Sequence, residues 1–130
     1  PERAVLVDFG LAKPIREGSG TWVTRTGAIV GTAHYMSPEQ ARGERVDVRT
    51  DVYGLSAVVY EMMAGVPPFL GSTAFAVMAM LLTEQPVAPS QLVPGVPAAL
   101  DTLLLAGLAK SATDRPADVE TFTSALASIP

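Results

Sequence analysis

Apolar residues open the chain as the run Ala4-Val5-Leu6-Val7, which stops at Asp8-Phe9-Gly10. A run this short, bounded by a turn signal, predicts a buried strand. Leu11 to Lys13 predicts a second short strand, ended by Pro14. From Ile15 to Gly31, Gly, Ser and Thr are frequent and no period is sustained. That stretch predicts a long irregular loop, of a kind that tends to be functional inside a compact domain.

Beyond the loop the pattern turns helical. In Ser37-Pro38-Glu39-Gln40, Ser37 is suited to cap a helix, Pro38 to stand first in it, and Gln40 to close a capping box. Gly43 then ends that short helix. The strongest helix is expected over Asp51 to Ala64, with Asp51 as its cap. Val52, Leu55, Val58, Val59, Met62 and Met63 cover one broad face of it. Tyr53, Ala57 and Tyr60 carry the apolar surface almost all round, which predicts a core helix stopped by Gly65 and Pro67-Pro68. Three more helices are expected, from about Ser72 to Glu84, Pro97 to Lys110 and Pro116 to Ile129. Between the first two, Gln85 to Val96 carries Pro86, Pro89 and Pro94 and reads as a loop. The fold class is therefore mainly α with a short N-terminal β segment.

Composition narrows the function classes. A net charge of −4 and a pI near 4.8, with no basic run, argue against a nucleic-acid partner. The longest apolar stretch, Ala74 to Leu82, falls well short of the roughly 20 residues of a membrane-spanning helix. With no cysteines the chain holds no disulfide or thiolate zinc site, which is compatible with the cytoplasm. Apolar residues make up 48% of the sequence and mean hydropathy is +0.32. So apolar a chain is expected when part of its surface faces another lobe. The abrupt opening Pro1-Glu2-Arg3, already followed by a strand pattern, carries the expectation of a cut through a larger domain.

Read alone, Asp8-Phe9-Gly10 is a modest signal: a carboxylate fixed at a strand end, and a glycine that permits a sharp turn. Hard carboxylate oxygens suit Mg²⁺. It is followed, in order, by Gly31-Thr32-Ala33-His34-Tyr35-Met36-Ser37-Pro38-Glu39-Gln40, Asp51-Val52-Tyr53-Gly54-Leu55, Gly65-Val66-Pro67-Pro68-Phe69 and Asp114-Arg115-Pro116. These five motifs, spread over essentially the whole chain, closely resemble the Hanks-type Ser/Thr protein kinases, bacterial members above all.

The resemblance implies the incomplete large (C-terminal) lobe of the protein kinase α+β fold. Residues 1–130 would form a partial kinase domain, with an activation loop at 11–39 and large-lobe helices at 37–129. It implies ATP and Mg²⁺ as cofactors, with Asp8 as metal ligand and Asp8, Phe9 and Gly10 on the nucleotide side. Thr24 and Thr26 lie where bacterial members carry activating phosphothreonines, though solvated loop residues would look the same. Thr32 matches the threonine that favours Ser/Thr over Tyr substrates. Glu39 is expected to pair with Arg115 as a structural ion pair, since a planar guanidinium suits a buried carboxylate. Asp51 resembles the helix aspartate that holds the catalytic loop from below. His34 falls at a variable position and reads as a surface or substrate-groove residue.

The departures matter as much. No Gly-rich phosphate loop, no strand Lys with its helix Glu, and no catalytic loop with base Asp and metal-binding Asn occur in the chain. No catalytic base is present, so the isolated chain is expected to be inactive. Gly54-Leu55-Ser56 stands where the family usually has Ser-Leu-Gly, and Ser111-Ala112 replaces an acidic residue and Pro before Arg115. The resemblance implies protein substrates bearing Ser or Thr, the missing N-lobe as partner, and a cytoplasmic location or the cytoplasmic face of a membrane-anchored parent. The alternative is a truncated, noncatalytic kinase-like binding module that docks partners near Ser72 to Leu82.

Overall fold

A computed structural model describes residues 33–130, and the described part is helical. Its elements are α1 (Pro38–Ala41), α2 (Val48–Ala64), α3 (Ala74–Thr83), α4 (Pro89–Leu92), α5 (Ala98–Gly107), a 3₁₀ turn (Ala112–Asp114) and α6 (Val119–Ala127). No strand occurs among the described residues, and the strands expected at 4–7 and 11–13 lie outside them.

The capping box expected at Ser37 is formed. Ser37 Oγ accepts from the Gln40 N–H at 3.2 Å, and Gln40 Oε1 accepts from the Ser37 N–H at 2.9 Å. For α2 the expected cap is corrected. The helix starts at Val48, and Asp47, not Asp51, caps it. Asp47 Oδ1 accepts from the Arg49 N–H at 2.8 Å, while Thr50 Oγ1 accepts from the Asp47 N–H at 3.2 Å. Asp47 wins because Thr50, three residues on, closes the box reciprocally. Asp51 then falls in the first turn, where a negative charge still favours the helix dipole. At the other end Gly65 adopts φ +82°, a left-handed conformation that costs glycine little, and its N–H reaches the Glu61 carbonyl at 2.8 Å.

The core forms where α2 meets α5 and α6. Val52, Tyr53, Ala57 and Tyr60 pack there with Leu100, Leu104, Leu108 and Phe122. This corrects the expected apolar face. The buried side chains of α2 include the polar Ser56 and Thr50, whereas Met62 is 75% exposed and Met63 is exposed as well. The two partner helices contact one side only, so the apolar stripe that ends at Met62 is left half-covered. A smaller cluster joins Ala33, Phe69, Val77 and Leu81 and seats α3 beside α1.

The segment from Gln85 to Val96 is not wholly a loop: Pro89 stands at the first position of the one-turn α4. Proline has no N–H to lose there, so it starts a turn as readily as it breaks one. The segment is held at two points. Tyr60 Oη donates to the Val87 carbonyl at 2.6 Å, and Asp101 accepts from both the N–H and the hydroxyl of Ser90. The last helix is shorter than expected, because Asp118 caps it and accepts from the Thr121 N–H at 2.8 Å.

α2 and α5 cross closely at Ser56 and Gly107. A Cβ built on Gly107 would stand 1.8 Å from Ser56 Oγ and 2.8 Å from Ser56 Cβ. Ser56 is fully buried, and its hydroxyl donates to the Val52 carbonyl at 2.7 Å. Gly107→Ala should therefore overpack the crossing and cost about 1–3 kcal/mol in chemical denaturation. Ser56→Gly in the same chain should recover most of that loss, giving a large coupling in the double-mutant cycle. Additive effects would show that the helices cross elsewhere.

Candidate functional site

Glu39 belongs to the one-turn α1, and Arg115 follows the 3₁₀ turn, 76 residues later. The fold brings them into a two-pronged pair: Arg115 Nη1 donates to Glu39 Oε2 at 2.7 Å and Nη2 to Glu39 Oε1 at 2.8 Å. The remaining guanidinium N–H groups are also taken. Nε donates to the Ala109 carbonyl at 2.9 Å, Nη1 to the Arg49 carbonyl at 3.0 Å, and Nη2 to the Lys110 carbonyl at 3.3 Å. All five donors of the fork thus have acceptors, which is the condition for burying a guanidinium without an unpaired N–H. The cation also lies over the Tyr53 ring, 5.1 Å from its centroid.

Thr50 completes the site from α2. Its hydroxyl donates to Glu39 Oε2 at 2.8 Å while accepting from the Asp47 N–H, so the α2 capping box leads directly into the buried carboxylate. Burial alone would push the Glu39 carboxyl up, but the hydrogen bonds from Arg115 and Thr50 outweigh it and hold the pKa at about 2. Burial pushes the Tyr53 phenol upward. Beside the pair, Lys110 Nζ donates to the Leu81 carbonyl at 2.7 Å and lies 4.6 Å from the Phe69 ring centroid. Its burial lowers the Lys110 pKa to about 8. The site therefore ties α1 to the start of α2, the end of α3 and the residues just beyond α5.

Reading the sequence missed Thr50 and the carbonyls of Arg49, Ala109 and Lys110 as partners of this pair. The spacing Asp47-x-x-Thr50 was a signal for the first, while backbone acceptors leave none. His34 is half-buried; its Nε2 is covered and has no hydrogen-bond partner among the described residues, and its ring meets Tyr35 edge-on. Tyr35 Oη donates to Glu61 Oε1 at 2.7 Å. Asp51 is exposed at the base of α2, apart from the Glu39–Arg115 pair. Asp8, Phe9, Gly10, Thr24, Thr26 and Thr32 lie outside the described residues. Among the described residues no three His, Cys, Asp or Glu side chains converge into a metal site, and no helix is long and apolar enough to cross a membrane.

The sequence matches the protein kinase domain over residues 2–125. It is 46% identical over 110 residues to the serine/threonine-protein kinase PknB of Mycobacterium leprae, which covers 85% of this chain and 17% of that protein. PknB of Mycobacterium tuberculosis matches to the same extent. The serine/threonine-protein kinase pkn3 of Myxococcus xanthus is 38% identical over 133 residues, covering 99% of this chain and 24% of that protein. The chain thus spans about a fifth of the length of these relatives.

Removing one partner of the buried pair leaves the other charged and unpaired. Arg115→Ala should cost about 3–5 kcal/mol, and Arg115→Lys should recover only part, because an ammonium cannot satisfy both carboxylate oxygens and three carbonyls. The pH dependence has a definite sign. The folded pKa of Glu39 lies below its ordinary 4.5, so the carboxylate's contribution is complete above pH 4.5 and is lost as pH falls toward about 2. Glu39→Gln should flatten the acid limb of the stability curve over that window. A variant whose acid limb matches the parent would assign the acid sensitivity to another group.

Proposed function

The chain belongs to the protein kinase family, and we propose that it forms the large-lobe part of a Ser/Thr kinase that moves the γ-phosphoryl group of ATP to a Ser or Thr hydroxyl of proteins. The observation that carries this reading is the match to the kinase domain over nearly the whole chain, with Ser/Thr kinases among its relatives. The geometry supports it, because the buried Glu39–Arg115 pair anchors the end of the proposed activation loop to the helical platform.

On this reading residues 1–130 are part of one kinase domain, with the activation loop at 11–39 and the large-lobe helices at 37–129. Asp8 holds Mg²⁺ at the phosphates of ATP, with Phe9 and Gly10 setting its position. The metal, when bound, neutralises charge that develops on the phosphoryl oxygens. Thr24 and Thr26 take regulatory phosphates, each adding about −1.5 to −2 charges that can order a loop against basic side chains. Thr32 lines the site for the acceptor hydroxyl, and Asp51 supports the catalytic loop. The base Asp, the metal-binding Asn and the small lobe come from sequence upstream of Pro1. The kinase works on the cytoplasmic side.

A second reading has its own observation. Leu70 is 60% and Phe75 82% exposed beside and on α3, a surface that suits a noncatalytic docking module. Phosphate transfer from radiolabelled ATP separates the two. The 130-residue chain should transfer nothing and bind MgATP only weakly. A longer polypeptide that adds the upstream base Asp and Asn should phosphorylate a Ser/Thr protein substrate and carry phosphate at Thr24 or Thr26. Partner binding by that longer protein without any transfer would favour the docking module.

A further inference from the structure

The five Lys and Arg residues between positions 33 and 130 are Arg42, Arg45, Arg49, Lys110 and Arg115. All belong to the segment 42–49 or the segment 110–115, which the fold places side by side through the Arg115 contacts to the Arg49 and Lys110 carbonyls. Outside these two segments the described chain carries Glu39, Asp51, Glu61, Glu84, Asp101, Asp118 and Glu120 and no Lys or Arg, so the cations of the described residues gather at one corner, beside Glu44, Asp47 and Asp114 of the same segments. That corner holds a cavity of about 430 Å³ between the segment that follows α1 and the turn that follows α5. Arg42, Arg45, Lys110 and Ser111 line it, together with Glu39, Glu44 and Asp47.

The acids of the lining are already engaged. Glu39 is held by Arg115 and Thr50. Asp47 is the cap of α2 and accepts from the Arg49 N–H. Glu44 meets Arg42 only at 3.6 Å, with both side chains roughly half exposed, a geometry worth little and easily exchanged. Arg45 forms no ion pair or hydrogen bond among the described residues and is exposed to solvent. The cavity therefore offers an unspent guanidinium and a weakly held one, while Lys110 already donates to the Leu81 carbonyl and the Ser111 hydroxyl meets that of Thr113.

We propose that this cavity binds a phosphate monoester dianion, held by Arg42 and Arg45. Guanidinium groups match the tetrahedral oxygens of phosphate with paired N–H donors. The space is several times what a bare phosphate fills, so a phosphorylated side chain with its own backbone fits as well as the free ion. Binding displaces Glu44 from Arg42 and leaves the Glu39–Arg115 pair intact. The site stands apart from the proposed transfer reaction, whose residues lie elsewhere in the sequence, so either reading survives the failure of the other.

The test is a titration of the intact protein, labelled with ¹⁵N-arginine, followed by NMR at the Arg Nε–H signals. The probes are O-phosphothreonine, threonine and inorganic phosphate. O-phosphothreonine should shift the Arg42 and Arg45 signals saturably, and threonine should not. Arg45→Gln should weaken that binding by roughly tenfold or more, while an unshifted Arg115 signal verifies that the fold is kept. Inorganic phosphate binding as tightly as O-phosphothreonine would support the phosphate site and identify the free ion as sufficient; weaker binding would point to a phosphorylated side chain. No saturable shift, or a shift that Arg45→Gln leaves unchanged, would overturn the proposal.

Discussion

Everything described in this chain converges on one buried cation. Arg115 directly follows the 3₁₀ turn, and its acceptors are both Glu39 oxygens of α1, the Arg49 carbonyl at the start of α2 and the Ala109 and Lys110 carbonyls just beyond α5. A buried ion pair is not in itself a strong source of stability, since a well-packed apolar pair can serve as well. What this one imposes is register. Five donors in a rigid plane accept only one arrangement of two carboxylate oxygens and three carbonyls. Residues 76 positions apart are thereby locked into a single relative placement.

A second constraint works by absence of volume. α2 and α5 approach closely because Gly107 offers no side chain where Ser56 projects. The exchange that makes residues 54–56 Gly-Leu-Ser, where kinases usually have Ser-Leu-Gly, puts the hydroxyl-bearing residue at this crossing. Ser56 resolves its own burial by donating back to the Val52 carbonyl. The crossing and the ion pair share α2: Tyr53, under the Arg115 guanidinium, is one helical turn from Ala57 and the α5–α6 core. Packing in the core and the placement of α1 are thus mechanically linked through one helix.

Charge adds a third layer. The same corner that buries Arg115 collects the other cations of the described residues, while α3, α4, α5 and α6 carry no Lys or Arg. Around the pair, short-range geometry dominates and charges are spent internally. At the cavity rim they remain available to solvent, and the field there falls off within about 10 Å at ordinary salt. One corner can therefore serve the fold with its buried cation and face a ligand with its exposed ones.

The local order of this protein was legible in its residues. Ser37 with Gln40 specified a capping box, Gly65 a left-handed stop, and the apolar periodicities placed four of the six described helices to within a few residues. These features depend on neighbours within a turn, which a linear pattern carries. The expected meeting of Glu39 with Arg115 came from family resemblance, because a pairing across 76 residues has no local signature. Three features were decided only in the tertiary structure. Asp47 displaced Asp51 as the α2 cap because Thr50 both closes that box and donates to Glu39. Met62 was left in solvent because α5 and α6 cover one flank of a helix apolar nearly all round. The Lys and Arg of the described residues, scattered along the sequence, meet at one corner because Arg115 reaches the Arg49 carbonyl and so joins their two segments. A sequence states which residues prefer to be helical or buried; which of several equivalent faces and carboxylates is used depends on what arrives beside them.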